Sequence, residues 1–434
     1  MSTVLAAALA DRSTFQTLNG LWKGKSAPLT RAIVVRNTNF TNDGVLDLRD
    51  VAELEVEEKQ LASRTLKNGD IIVERSGGGP KQAVGRVCYF EANGELPFSF
   101  SNFTSVIRVL DTNRFFPRYV HYYLLHLYKS GFTEGLQHAT TGIRNLDFGS
   151  YLEAEVPLHP KQEQEKIAAV LWKLQRTIAT QDRLIATTRD LKQSAMNRLF
   201  TQGLRGEPLK ETTIGPMPES WQVLSLGELG RIGNGSTPKK THSEYWLHGK
   251  TPWLTSGKIH EGIIFQSDQF VSDVAVKECH LPLVPAGSLL VAITGQGKTL
   301  GNAALVDFDT TINQHLAYVR FEHKDAHAAF VYQFMRSRYE ELQAVGRAGG
   351  STKAALTCAF LRDFPIPFPS EDEQREIAAA LTTIDRKLAH HQKKRAALND
   401  LFQTLLHKLM TGEIRVADID IDTSEITAPT GAST

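Results

Sequence analysis

Pro157-Leu158-His159-Pro160-Lys161-Gln162-Glu163-Gln164-Glu165-Lys166-Ile167 returns 210 residues later as Pro367-Phe368-Pro369-Ser370-Glu371-Asp372-Glu373-Gln374-Arg375-Glu376-Ile377 (377 − 167 = 210). The offset persists (409 − 199 = 210), so Pro157 to Gly203 lies over Pro367 to Glu413 without a gap, with fifteen of forty-seven positions identical. A repeat of this length reports architecture before any single motif does. The chain is two copies of one unit, each a variable domain followed by a helical arm. Such a pseudo-twofold plan suits a bipartite target. Pro157 and Pro160 precede the first arm; Pro365, Pro367 and Pro369 precede the second. There Ser370 can cap the helix, and Glu373 can complete a capping box.

In the second arm Ile377, Leu381, Ile384, Leu388, His391, Arg395, Leu398, Phe402, Leu405 and Leu409 follow one another in alternating steps of four and three. That is a heptad seam, and it requires a coiled-coil partner. The first arm gives Ile167, Leu171, Leu174, Ile178, Gln181, Ile185, Thr188, Leu191 (one place off the seam), Ala195 and Leu199. About 40 helical residues make a rod of roughly 60 Å. Each arm is expected to pair with the other, antiparallel, facing residues having numbers that sum to about 571 (161 + 410). Gln181 then falls opposite His391, a polar pair that would fix register. The alternative is an oligomer that pairs arms from different chains.

The domains before the arms repeat more weakly. Leu66-Lys67-Asn68-Gly69-Asp70-Ile71-Ile72-Val73 resembles Val284-Pro285-Ala286-Gly287-Ser288-Leu289-Leu290-Val291: a glycine turn, then an apolar strand. Each strand runs into a glycine loop, Ser76-Gly77-Gly78-Gly79-Pro80-Lys81 and Thr294-Gly295-Gln296-Gly297-Lys298-Thr299. Ser105 to Val109 matches Ala317 to Phe321, and a helix is expected in both copies, near Tyr119 to Leu127 and Phe330 to Arg338. A shared framework carrying different sequence suits one scaffold with two readout surfaces. Gly297-Lys298-Thr299 resembles the end of a phosphate-binding P-loop, but that motif needs glycine where Ala292 stands. The loop is either a flexible element that brings Lys81 or Lys298 to a phosphate, or a plain surface turn.

The charge balance is near neutral, with 49 Lys and Arg against 48 Asp and Glu. A whole-chain basic signature for nucleic acid is absent, so any such binding must use local patches. One patch is Arg231, Lys239, Lys240, Lys250 and Lys258, opposed by Glu244 and introduced by the loop Asn234-Gly235-Ser236-Thr237-Pro238. Another is Arg64, Lys67, Arg75, Lys81 and Arg86, against Asp70 and Glu74. Cys88, Cys279 and Cys358 form no CxxC pair, which suits a reduced cytosolic protein. No apolar run approaches membrane length, and Met1 to Ala10 makes a poor signal peptide. No Asn/Asp-Pro-Pro-aromatic tetrad of an amino-methyltransferase occurs. Glu57-Glu58-Lys59 is too common a pattern to mark a nuclease, and the histidines have no metal-ligand spacing.

The doubled Glu-Gln-x-x-Ile helix opening resembles that of specificity subunits of type I restriction–modification systems. Ser220-Trp221-Gln222-Val223 through Gly235-Ser236-Thr237-Pro238, and later Pro252-Trp253-Leu254, likewise look like the opening of a target-recognition domain. The resemblance covers about residues 15 to 413. It implies an α+β fold: two target-recognition domains of mixed α/β structure related by pseudo-twofold symmetry, joined by two long antiparallel coiled-coil helices. The expected domains are 1–156 and 206–366, the spacer helices 157–205 and 367–413, and an acidic disordered tail 414–434. The first domain lacks the Trp-led opening. Its match begins near Leu18, leaving the first ten residues without a clear role unless they pack beside the end of the second helix.

The resemblance further implies that each domain reads half of a split double-stranded DNA site while the helices set the unread spacer. Two methyltransferase subunits would methylate adenine with S-adenosylmethionine, and two restriction–translocase subunits would need ATP and Mg2+. The chain itself would be non-catalytic, bind none of these cofactors, and reside in the cytoplasm. A stand-alone DNA-modifying enzyme and a protein-binding scaffold are the alternatives. Loop placement and residue chemistry select candidate DNA contacts: Arg36, Asn37, Asn39, Lys81, Arg86 and Arg144 in the first domain, and Thr237, Lys239, Lys240, Lys258, Gln296, Lys298 and Lys353 in the second.

Overall fold

The computed structural model describes residues 5–22, 26–79, 82–140, 143–295, 297–348 and 355–427. Two compact units emerge: Met1–Gln181 with Lys394–Thr434, and Asp182–Lys393. The long helices run Lys161–Gln202 and Glu371–Met410, so each unit holds half of each helix.

In the first unit an antiparallel sheet has the order Phe15–Asn19, Thr104–Val109, Ile71–Glu74, Val87–Tyr89. A smaller sheet sets Leu29–Val35 between Ala52–Glu57, antiparallel, and Phe98–Phe100, parallel. The helix Pro117–Lys129 packs on the larger sheet, burying Tyr119, Val120, Leu124 and Leu125 in one core with Ile71, Val73 and Ile107. Proline at its start suits the first turn, where no amide donor is needed.

The second unit repeats this order. Gly230–Asn234, Leu316–Phe321, Leu289–Ala292 and Ala303–Val306 form the larger sheet, and Ile263–Ile264 adds a fifth, parallel strand. Thr251–Leu254 lies between Phe270–Val271, antiparallel, and Thr311–Ile312, parallel. The helix is Ala328–Ser337. The turns expected before the apolar strands are present, and Gly69 and Gly287 take φ of 99° and 82°, where glycine is favoured.

Each arm pairs with the other within the chain. In the first unit Ile167 and Leu171 share a core with Phe402, Leu406 and Leu409. In the second, Met196 and Phe200 join Ile377 and Leu381. The direction is antiparallel, because Lys192 meets Asp385 while Leu204 meets Glu373. Both pairs sum to 577 (192 + 385; 204 + 373), about six more than expected. The seam itself also differs from the expected one: Leu191 is 54% exposed, and Lys192, Met196 and Phe200 are buried in its place. A buried lysine with an anionic partner displaces the leucine that apolar periodicity selects.

The Glu-Gln motif is a structural clamp. Gln164 accepts from the amide of Phe116, which caps the helix Pro117–Lys129, and donates to the carbonyls of Arg114 and His159. Gln374 repeats this, accepting from His327 N and donating to Asp325 and Pro369 carbonyls. The adjacent glutamates diverge. Glu373 accepts from Leu204 N (2.7 Å) and the Trp221 indole (3.1 Å), so it does not close the expected capping box, although Ser370 does accept from Glu373 N (3.4 Å). Glu163 instead takes two bonds from Arg415, 2.5 and 2.7 Å, which hold its carboxyl below the usual range.

Both chain ends correct the sequence reading. Ala6–Ala8 is a strand, antiparallel to Glu155–Pro157, just as Gln222–Ser225 pairs with Pro365–Phe368. It is thus the missing opening strand of the first domain. Three alanines carry no strand signal of their own; a waiting strand edge supplies the order. Residues 414–427 are not disordered either. Ile414 and Val416 enter the first core, Lys166 and Lys173 reach the carbonyls of Ala417 and Asp422 (2.6 and 2.8 Å), and Arg176 pairs with Glu425 (3.0 Å). From Ala417 to Thr427 the segment has acidic residues and no cations of its own, and it meets Lys166, Lys173 and Arg176 of the first long helix.

Candidate nucleic-acid interface

At one end of each domain, the loop after the first strand of the larger sheet packs on the turn leading into its neighbouring strand. In the second unit a Cβ on Gly235 would lie 1.9 Å from the Ile312 carbonyl oxygen; in the first, a Cβ on Gly20 would lie 1.9 Å from that of Ser101. Only glycine lets the two backbones approach so closely. Ser236 N then donates to Ile312 O, and Leu21 N to Phe100 O. The turns are equal in length, closed by Leu316 N to Asn313 O and Thr104 N to Ser101 O. The residues at the two tips therefore correspond: Thr237, Gln314 and His315 in the second unit, Trp22, Asn102 and Phe103 in the first.

The tips differ in chemistry. Trp22 and Phe103 are 68% and 44% exposed, an apolar surface. The second tip is a chain of polar side chains in which Thr237 bonds Gln314, Gln314 bonds His315 (3.1 Å) and His315 bonds Thr294 at the root of the glycine loop. Asn313, buried behind the tip, accepts from His315 N and fixes the turn.

The glycine loops border these tips and are tied down in both units. Ser76–Gly78 pairs with Ile143–Leu146, setting Arg144 opposite Gly78. Thr294 bridges Ala355, while Tyr339 and Gln343 bond the carbonyls of Lys298 and Gly297. Thr294, Gly297 and Lys298 are thus held on either side, and the Lys298 side chain is exposed.

Sequence-selected residues separate into four groups. Thr237, Lys239, Lys240 and Lys298 are exposed, the first on the polar tip. Arg36 and Arg144 are half-buried, and Arg144 contacts Gln137 at 3.4 Å. Lys81, Gln296 and Lys353 lie outside the described residues. Four choices are engaged within the fold. Arg86 is buried against Glu74 (2.6 and 2.8 Å) and also bonds the carbonyls of Phe40 and Asn37. Asn39, 3% exposed, braces the carbonyls of Asp47 and Asp50. Asn37 is turned inward to Glu74 and Ser76 O. Lys258 is held between Glu261 and Asp268 at 2.8 and 2.9 Å, its charge already met. Gln314 and His315 escaped sequence reading because they reach Thr237 only through the Gly235 contact. Glu57 accepts from Ser26 N and Gln60, a structural arrangement. No cluster able to hold a metal occurs among the described residues, and no described helix is long and apolar enough to cross a membrane.

The chain and its fold have counterparts among known proteins. The family of type I restriction modification DNA specificity domains matches residues 28–187 and 218–400. A Methanocaldococcus jannaschii protein with the provisional name of MjaX type I restriction enzyme specificity subunit is 23% identical over 393 residues, 90% of this chain and 87% of its own length. The EcoR124I/EcoR124II specificity subunit of Escherichia coli is 26% identical over 299 residues, 68% of this chain and 70% of its own. The crystal structure of the S subunit of a type I restriction–modification system from M. genitalium shares the fold at 17% identity, with a TM-score of 0.60 over 94% of this chain and 97% of that one. The chain belongs to the type I restriction modification DNA specificity family and carries its domain twice.

Proposed function

We propose that the chain is the DNA-specificity subunit of a type I restriction–modification complex. Each domain reads one half of a bipartite duplex site, and the helix pair sets the unread gap. Methylation of adenine and cleavage belong to partner methyltransferase and restriction–translocase subunits, two of each. S-adenosylmethionine, ATP and Mg2+ serve those partners; this chain is non-catalytic by itself and works in the cytoplasm.

The observation that carries this reading is the pair of equivalent tips with different side chains. One framework, used twice with Trp22, Asn102 and Phe103 in one copy and Thr237, Gln314 and His315 in the other, is what two unlike half-sites require. Phosphate contacts from Lys239, Lys240 and Lys298 would supply affinity without sequence information. Mapping methylated adenines across the genome, with and without this gene, tests the proposal. A split motif that vanishes with the gene supports it. Purified chain that cuts or methylates DNA alone would overturn it.

A further inference from the structure

Resting on that reading, we propose that Gln314 reads a base in the second half-site, and that the base is adenine. The argument is a count of donors and acceptors at the tip. A glutamine amide has two N–H donors and two lone pairs on its oxygen. The Thr237 hydroxyl donates to Gln314 Oε1, and Gln314 Nε2 donates to His315 Nε2. One donor and one acceptor remain on an exposed side chain.

Swapping the two ends of the amide, with the hydroxyls and the imidazole reversing their roles, leaves the same remainder of one donor and one acceptor. With Gln314 Nε2 as the donor, His315 accepts at Nε2 and its ring proton on Nδ1 faces Thr294 Oγ1. Thr237 and His315, the latter braced by Thr294, thus hold the amide in place before any ligand arrives. An unsupported glutamine loses side-chain freedom on binding; this one has lost most of it already. The remaining donor and acceptor match the major-groove edge of adenine, which offers N7 as acceptor and the N6 amino group as donor. Guanine offers two acceptors there, and the amide oxygen would meet one of them unpaired.

The corresponding residues of the first tip, Asn102 and Phe103, have no such frame: Asn102 has no histidine beside it, and Phe103 has no polar edge. The inference is therefore specific to the second half-site.

The test uses the full chain assembled with its methyltransferase subunits, with methylated motifs mapped for wild type, Gln314→Ala and Gln314→Glu. Gln314→Ala should relax one position of one half-site, with discrimination falling roughly 5- to 150-fold and all other positions and the spacer unchanged. Gln314→Glu should move preference at that position from adenine toward cytosine, whose N4 amino group a carboxylate accepts. In a synthetic site, replacing the adenine at that position by 7-deazaadenine should weaken wild type and leave Gln314→Ala indifferent. An unchanged motif at wild-type rate in Gln314→Ala overturns the inference. So does a loss of affinity uniform over all sequences, which is the behaviour of a phosphate contact. A wild-type complex with no sequence preference would instead sink the functional reading itself.

Discussion

The two units join helix pair to recognition domain at the same place with opposite chemistry. In the first unit Tyr122 donates to Gln175 (2.7 Å) and stands edge-on to Phe402 at 6.3 Å. In the second, Gln333 donates to Asp385 (2.8 Å), Lys192 pairs with the same carboxylate (2.6 Å), and Arg336 adds a contact at 3.4 Å. The positions correspond through the repeat (385 − 175 = 210; 402 − 192 = 210; 333 − 122 = 211). An aromatic and an amide in one copy become an ammonium and a carboxylate in the other. The geometry of the joint is retained while its chemistry is exchanged, so packing defines the scaffold more than any particular bond does.

The largest effects should separate the two joints by kind. Phe402→Ala removes a fully buried ring and should destabilise the first unit by about 3–5 kcal/mol in denaturant unfolding. Asp385→Ala strands Lys192, whose side chain is 9% exposed, and should cost the second unit roughly 3 kcal/mol. Grafting the first joint onto the second (Lys192→Phe, Asp385→Gln, Gln333→Tyr) should recover most of that loss. A triple variant no more stable than Asp385→Ala would show that the joints are not interchangeable.

The next contrast is in pH. His121 is buried beside Tyr122, and burial pushes its imidazole down to about 3, from 6.5. The folded side chain stays neutral where the unfolded one gains a proton. Stability is therefore complete above about pH 6.5 and falls with acidification toward pH 3. Between pH 7 and pH 5 the loss should be about 2 kcal/mol. Tyr332 occupies the corresponding place in the second unit and carries no charge in this range (332 − 121 = 211). His121→Phe should flatten the acid limb of the first unit's stability; an unchanged limb would assign it to other groups.

The smallest predicted effect lies at the Glu-Gln motif. Trp221→Phe removes one bond to Glu373 and should cost about 1 kcal/mol. Arg415→Ala, at an exposed side chain, should cost about the same or less. If Arg415→Ala proves the more damaging, the tail is a stronger clasp than its exposure suggests.

Much of this was legible in sequence, for identifiable reasons. Forty-residue helices repeat their period often enough to declare themselves, and the glycine turns before Ile71 and Leu289 need a backbone that few residues adopt. What stayed hidden depended on distant partners. The strand Ala6–Ala8 exists because Glu155–Pro157 offers an edge. Lys192 takes the seam because Asp385 waits there. Arg86 looked like a free cation, yet Glu74 lies on a strand buried along its whole length, and a buried carboxylate implies a partner. At the tip, Thr237 stood in a recognisable loop, whereas Gln314 and His315 followed an unremarkable strand and became part of the site only through backbone contact at Gly235.

The composition of the two units bears on how the chain comes into being. The second is continuous in sequence, whereas the first is assembled from both ends of the chain. On the ribosome, domains fold as units once all their residues have emerged. The unit that starts synthesis first is thus the last to be finished: its core waits, with Ile167 and Leu171 uncovered, until Phe402, Leu406 and Leu409 arrive. The later-made unit can close before them. A product that stops before Phe402 would therefore leave this core without Phe402, Leu406 and Leu409.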